Sequence, residues 1–470
     1  MNYTLIMTGN FLSYMFFILL LAPSKPADNK FIIEEFIIRG NKITKEKIIL
    51  RELTFQKGDS ILPSDLDELI KKSRENLLNI SLFNYVTISY DKTDSGNLTI
   101  NILVEERWYI WPVPILKYDD RNFSAWLKDG DLSKTKYGIS LQQFNCFGRR
   151  QTLKVTFLSG YATSVGLSYK NIALDKSRKH LIGADFETSN QDEIIYDTQN
   201  NEPVTFNNNY RQVYKREKYT LNYVYRPAIH DKHDFFLNYF KYDVADTIVK
   251  LNPDFLLTGK NHLESFNIDY VYTRDYRDIK AYPLSGSLFE ILIGQTVSPP
   301  TDGKLFTSTS VIPSFYKYFE LSNKLYYALG INLKLSYNSS PSYIYTRSLG
   351  YIYNMHGFEY NTMEGQNFII LKNLLKVSLL KPRVTKVKFI PFEKFNKIHY
   401  ALYFNLYADC GYVSDKYNTS DNDYVNRFLI SGGAGFDLVT YYDRTLRVEY
   451  SVNGFGHGGL YLHLTAPINM

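Results

Sequence analysis

The run Tyr219-Thr220-Leu221-Asn222-Tyr223-Val224-Tyr225 sets a large apolar or aromatic residue at every second position. A period of two marks a β-strand whose two faces meet different surroundings. Outward from it, Tyr137 to Phe144, Leu153 to Ser159, Phe235 to Tyr242, Leu263 to Tyr272, Leu402 to Ala408 and Leu446 to Tyr450 repeat the alternation, with Gly, Asn, Asp and Pro in the breaks. Segments of roughly ten residues with this pattern are what a strand needs to cross a bilayer. Lipid offers no hydrogen-bond partners, so every backbone N–H and C=O must pair between strands and the sheet must close on itself. Residues 108–470 are therefore expected to form a transmembrane antiparallel β-barrel. About 16 strands are expected, an even number as in single-chain bacterial barrels, which returns the C-terminus to the periplasmic side.

Composition fits this reading without deciding it. The chain has 470 residues, of which 44% are hydrophobic and 22% charged, and it holds 41 tyrosines. A helical membrane protein would carry repeated apolar runs of about 20 residues, and none is present. Tyr collects on strands and at membrane–water boundaries, although a soluble β-rich protein can share that bias. The formal net charge of +6 is small for the length, and no nucleic-acid footprint is expected, since Lys and Arg do not cluster on one recognisable face. The two dense basic clusters, Gly148-Arg149-Arg150 and Lys176 to His180, fall at breaks between strands and read as solvated turns. Cys146 and Cys410 are too few and too far apart for a disulfide framework or a metal site.

Residues 1–27 read as a signal peptide: Phe11 to Ala22 is a short apolar core and cleavage is expected after Ala27. Residues 28–107 read as one small α+β unit in the order strand, helix, helix, strand, strand. Phe31 to Ile38 is strand-like, Thr44 is placed to cap a first helix and Ser64 with Asp67 to open a second in capping-box style. Asp94 to Asn97 turns the last two strands. Trp108, Tyr109 and Trp111 follow at once and suit an interfacial girdle.

Gly40-Asn41, Thr44, Arg51-Glu52-Leu53, Gly58-Asp59 and Leu82-Phe83-Asn84-Tyr85-Val86 give this unit a resemblance to a POTRA domain, the polypeptide-transport-associated module. The barrel part carries Met355-His356-Gly357-Phe358-Glu359-Tyr360, Thr273 to Asp278 with Tyr282 to Gly286, Asp409-Cys410-Gly411, and the closing segments Gly433 to Phe436, Leu446 to Tyr450 and Gly458 to Ala466. Together these resemble the outer membrane protein 85 superfamily of BamA/TamA-like surface-antigen barrels, here with one POTRA domain.

The resemblance implies a loop that folds into the lumen and is pinned by an arginine to acids on late strands. Here that arginine is His356, followed by Gly357, Phe358 and Glu359; the candidate latching acids are Asp409 and Asp437, and Asp409 with Gly411 forms the late-strand motif. A neutral His hydrogen bond or a pH-dependent latch would both serve. The tail Pro467-Ile468-Asn469-Met470 departs from the aromatic terminus common in such barrels.

The family further implies an outer-membrane protein with its POTRA domain in the periplasm, working as an assembly, insertion or translocation factor. Its expected partners are outer-membrane lipid, unfolded client polypeptides and accessory periplasmic or lipoprotein factors. A dedicated secretion pore and a lipid-handling barrel are the alternatives. No zincin, nucleophile-elbow or phosphate-loop motif is present, so no enzyme activity, cofactor or metal is expected. His230 and His233 read as an exposed turn, and Asp119-Asp120 and Glu105-Glu106 as charged hairpin ends facing water.

Overall fold

A computed structural model of the protein describes residues 30–464 apart from 95, 119–134, 209–211, 258, 302–303, 387–396, 417–421 and 441–443. The signal-peptide segment, Asp119-Asp120 and the C-terminal tail lie outside the described residues.

The first unit comprises β1 (Phe31–Arg39), α1 (Glu46–Leu50), the two-residue β2 (Ser60–Ile61), α2 (Pro63–Asn79), β3 (Phe83–Lys92) and β4 (Leu98–Glu106). Its sheet runs β2-β1-β4-β3, with β1 and β4 parallel. Ile33, Ile49, Leu66, Leu77, Phe83 and Ile100 form its core. Neither expected cap forms. α1 starts after Lys45, and α2 starts two residues early, with Leu62 in the N-cap place of Ser64, because Pro63, its φ already fixed, takes the first helical position. Thr44 is instead drawn to Tyr109 and Asn145. Tyr109 belongs to this core rather than to an interfacial girdle, its hydroxyl donating to the Leu82 carbonyl.

Sixteen strands form the second sheet. They are β5 (Ile110–Tyr118), β6 (Thr135–Cys146), β7 (Gln151–Gly160), β8 (Ala162–Ala173), β9 (His180–Gln191), β12 (Tyr214–Tyr225), β13 (Asp231–Val244), β14 (His262–Asp275), β15 (Gly286–Thr301), β16 (Lys304–Glu320), β17 (Leu325–Asn338), β18 (Asn367–Lys386), β19 (Lys397–Ser414), β20 (Phe428–Thr440), β21 (Arg444–Asn453) and β22 (Gly458–Leu464). Each pairs antiparallel with the next. The burial pattern is the reverse of a soluble protein's. On β12, Tyr219 and Leu221 are 44% and 61% exposed while Thr220 and Asn222 are 5% and 9% exposed. Apolar residues point out and polar ones in, as lipid outside and a polar lumen require. No helix of the described residues is long and apolar enough to cross a membrane.

At the end of the barrel far from the first unit, loops carry structure that periodicity did not signal. A hairpin of β10 (Glu193–Gln199) and β11 (Glu202–Asn207), α3 (Asp246–Leu251) and α4 (Tyr343–Thr346) pack together. Ile194, Ile248, Phe255, Leu256 and Tyr343 form their shared core. Beneath lies a cavity of about 950 Å3 lined by Tyr214, Arg216, Tyr242, Lys334, Arg347 and Tyr351 among others.

Candidate functional site

The connection from β17 to β18 turns back into the lumen. Met355, Phe358 and Met363 bury against Phe368, Ile370, Val413 and Leu429 of the wall, so the loop is held first by apolar burial. Gly357 has φ +80°, and a Cβ there would lie 3.3 Å from Asn453 N, Ser431 Cβ and Val452 C. Both the backbone and the space therefore favour glycine. Gly411 has a related role: a Cβ there would meet the Ile369 carbonyl at 3.0 Å and Met355 Sδ at 3.3 Å.

His356 sits in this frame with Nδ1 2.7 Å from Asp409 Oδ2, and its backbone N–H donates to the same oxygen. The ring stacks on Tyr407, and Nε2 lies 3.9 Å from Glu449 Oε2. Asn453 donates to the Gly357 carbonyl, and Tyr360 donates to the carbonyl of Leu460 on the last strand. The loop thus touches each of β19 to β22.

Asp437 is not part of this contact, a correction to the expected pair of acids. The residue across from Asp409 on β20 is Ser431, and Asp437 lies six positions further, about 20 Å along the strand. It is gripped bidentately by Arg447 (2.7 and 3.0 Å) and accepts from Tyr282 (2.7 Å), which reaches in from the turn after β14. The second acid facing His356 is Glu449. Glu359, Glu449 and His463 bring ligand atoms within 4.8 Å of one another, a grouping that could hold a metal ion. Their positions are too far apart in sequence for spacing to have revealed it. His230 and His233 instead bond to the Asp275 carbonyl and the Tyr270 hydroxyl.

The POTRA-motif residues hold the first unit's turns. Gly40, at φ +90°, presses on the Val104 carbonyl, and Asn41 donates to the Thr44 carbonyl. Gly58 donates to the Ile33 carbonyl, Asp59 accepts from Gln56 N–H, and Phe83 is core. None of them meets the barrel in the hydrogen bonds just described.

Glu52 does. It is 2% exposed and receives both ends of Arg226 at 2.6 Å, with Arg150 at 3.4 Å. Burial pushes its carboxyl up, but the hydrogen bonds and charge of Arg226, with Arg150 and Arg51, outweigh this and hold it below the ordinary carboxylate range. Arg51 donates to the Arg178 and Arg226 carbonyls, and Asn79 bridges to Asp278 and Lys280. The Arg150 and Arg178 turns are therefore a docking collar, not solvated ends. Glu106 likewise is buried, accepting from Ile43 and Thr44 N–H, where water-facing charge was expected.

The family model "POTRA: Surface antigen variable number repeat" matches residues 31–107. The outer membrane protein assembly factor BamA of Neorickettsia risticii (strain Illinois) is 35% identical over 78 residues, which is 17% of this chain and 10% of that protein. CdiB from Escherichia coli superposes with a TM-score of 0.54 at 13% identity, covering 93% of this chain and 76% of that one. BamA from Haemophilus ducreyi lacking POTRA domains 1-3 gives 0.49 at 14% identity over 93% and 85%. The chain thus carries a POTRA unit, matched over residues 31–107, directly ahead of a 16-stranded antiparallel sheet that shares its fold with CdiB, and it spans only 10% of the curated BamA relative.

Proposed function

We propose that the protein is an assembly or translocation factor that passes unfolded polypeptides from its POTRA unit, residues 28–107, to the barrel. The observation that carries this reading is the seam. Among the described residues every neighbouring pair of barrel strands is laddered, but no ladder joins the first strand, β5, to the last, β22. A border that no ladder closes is where an extended client segment can add to a sheet. On the POTRA unit, β3 is the outer strand of its sheet, a place where a client can add by backbone hydrogen bonds that tolerate many sequences. The inward loop, held through His356, Gly357 and Phe358, keeps the lumen filled until the client arrives.

The reading is non-enzymatic, and accessory periplasmic or lipoprotein factors would bring clients to the POTRA unit. Depleting the protein and quantifying other outer-membrane proteins tests it: their levels should fall, and unchanged levels would sink it. A secretion pore is the second reading, favoured by the lumenal cavity of about 950 Å3 with its mixed charged and tyrosine lining. Deleting residues 354–366 should then open a lasting ion conductance, which an insertion factor whose work is at the seam does not need.

A further inference from the structure

The inward loop brings metal-type donors against the last two strands. Glu359 of the loop, Glu449 of β21 and His463 of β22 each place a ligand atom within 4.8 Å of the others. Strand periodicity puts His463 there: Tyr461 is buried on the lumenal face of β22, and the residue two positions on shares that face. Glu359 and Glu449 are buried, whereas the His463 side chain is 35% exposed. An ion therefore has a way in from the lumen.

A second observation points to an ion. Glu449, 1% exposed, has an oxygen, Oε2, that receives no hydrogen bond among the described residues. Arg447 Nε stands 3.8 Å from it and spends its fork on Asp437. His356 Nε2 stands 3.9 Å from it. His356 Nδ1 lies 2.7 Å from Asp409 Oδ2, and a carboxylate only accepts, so Nδ1 carries the ring proton. In the neutral ring Nε2 then turns a lone pair toward Glu449. A cation between the two satisfies both. An imidazole backed by a carboxylate on one nitrogen and a metal on the other is a recurrent arrangement. Ligand atoms roughly 2.0–2.1 Å from a tetrahedral ion lie about 3.3 Å apart. The His463 Nε2 to Glu449 Oε1 distance of 3.1 Å and the His356 distance of 3.9 Å bracket that spacing.

We infer that Glu359, Glu449, His463 and His356 form a site for one divalent first-row metal ion, zinc above all, which clamps the inward loop to β21 and β22. Mixed imidazole and carboxylate donors suit zinc, whereas calcium and magnesium prefer oxygen alone. Two ligands come from the loop and two from the strands, so the ion holds only the inward position of the loop. On binding, His463 exchanges its hydrogen bond to Glu449 for the metal, and its one remaining ring proton sits on Nδ1. An arginine at position 356 has no lone pair to give; the histidine found in its place does. The site stands whichever cargo the barrel handles.

The test uses the full chain in detergent, free of any affinity tag and stripped with EDTA. Titration with zinc chloride, read by calorimetry and elemental analysis, should load one ion per chain, and a large excess of magnesium or calcium should not displace it. Glu359→Gln and His463→Gln should each abolish loading. Asp409→Asn, which disturbs only the group behind His356, should weaken it about 10–100-fold. His230→Gln, in the turn between β12 and β13, should leave it unchanged. In planar bilayers, free zinc at about ten times its Kd should cut channel openings about tenfold, the linkage ratio for an ion held only by the closed loop. EDTA should reverse this, and His463→Gln should respond to neither. Should a glutamine variant fail to fold, the parent's response to zinc and EDTA decides. Absent loading, loading that survives both glutamine variants, or openings indifferent to zinc overturn the inference.

Discussion

Replacing His356 with alanine removes the partner of a buried Asp409 oxygen and the ring that stacks on Tyr407. The loss should loosen the loop by about 1.5–3 kcal/mol, and single-channel recordings should show more frequent openings than in the parent. His356→Arg should instead hold the loop shut, since a guanidinium can take Asp409 and Glu449 together. At the other end of the lumen, Glu52→Gln leaves Arg226 buried without its carboxylate, at about 3–5 kcal/mol. Because the folded Glu52 sits below its ordinary value of 4.5, its pairing stabilises docking fully above that value. That stabilisation fades as pH falls through the lower folded value. Distances between spin labels on α2 and on the turn after β14 should hold steady from neutral pH to 4.5 and lengthen below it in the parent, and be longer at neutral pH in the variant. A distance in Glu52→Gln equal to the parent's would remove the collar argument.

At the scale of elements, the strands were legible because lipid and lumen impose a strict period of two, as on β12, where Leu221 faces out and Asn222 in. Register between strands was not legible. Alternation gives the face of Asp437 but not its height relative to His356, which depends on pairings across β19 and β20. The collar was missed for a related reason: an arginine-rich turn reads the same whether it meets water or a carboxylate 98 positions away, as Arg150 meets Glu52. The loop motif itself was readable as residue types, whereas Glu449 and Arg447 were hidden within an ordinary strand. The POTRA edge yields its own prediction. Thr93 N–H donates to the Asn97 carbonyl, so by alternation Val86, Ile88 and Tyr90 turn their N–H groups to the free border of β3. Tyr90→Pro deletes one such donor without touching the β4 ladder. Crosslinking of clients from β3 should drop severalfold while the unit's thermal stability stays near the parent's.

For the molecule as a whole, the described residues place the inward loop and the distal loop core toward one end of the lumen, and the docked POTRA unit with Tyr282 toward the other. Among the described residues the seam between β5 and β22 is the one border of the sheet that no ladder joins. The distal core built on Ile194, Ile248, Phe255, Leu256 and Tyr343 packs the loops over the end of the barrel far from the POTRA unit. On the proposed function, such a core would keep an envelope closed to solutes while no client is engaged. Removing the hairpin of residues 193–207 should leave the protein folded yet sensitise the bacterium to bulky hydrophilic antibiotics that the intact envelope keeps out, as read by growth inhibition. That single cluster of apolar loop residues would thus decide what can pass the lumen from that side.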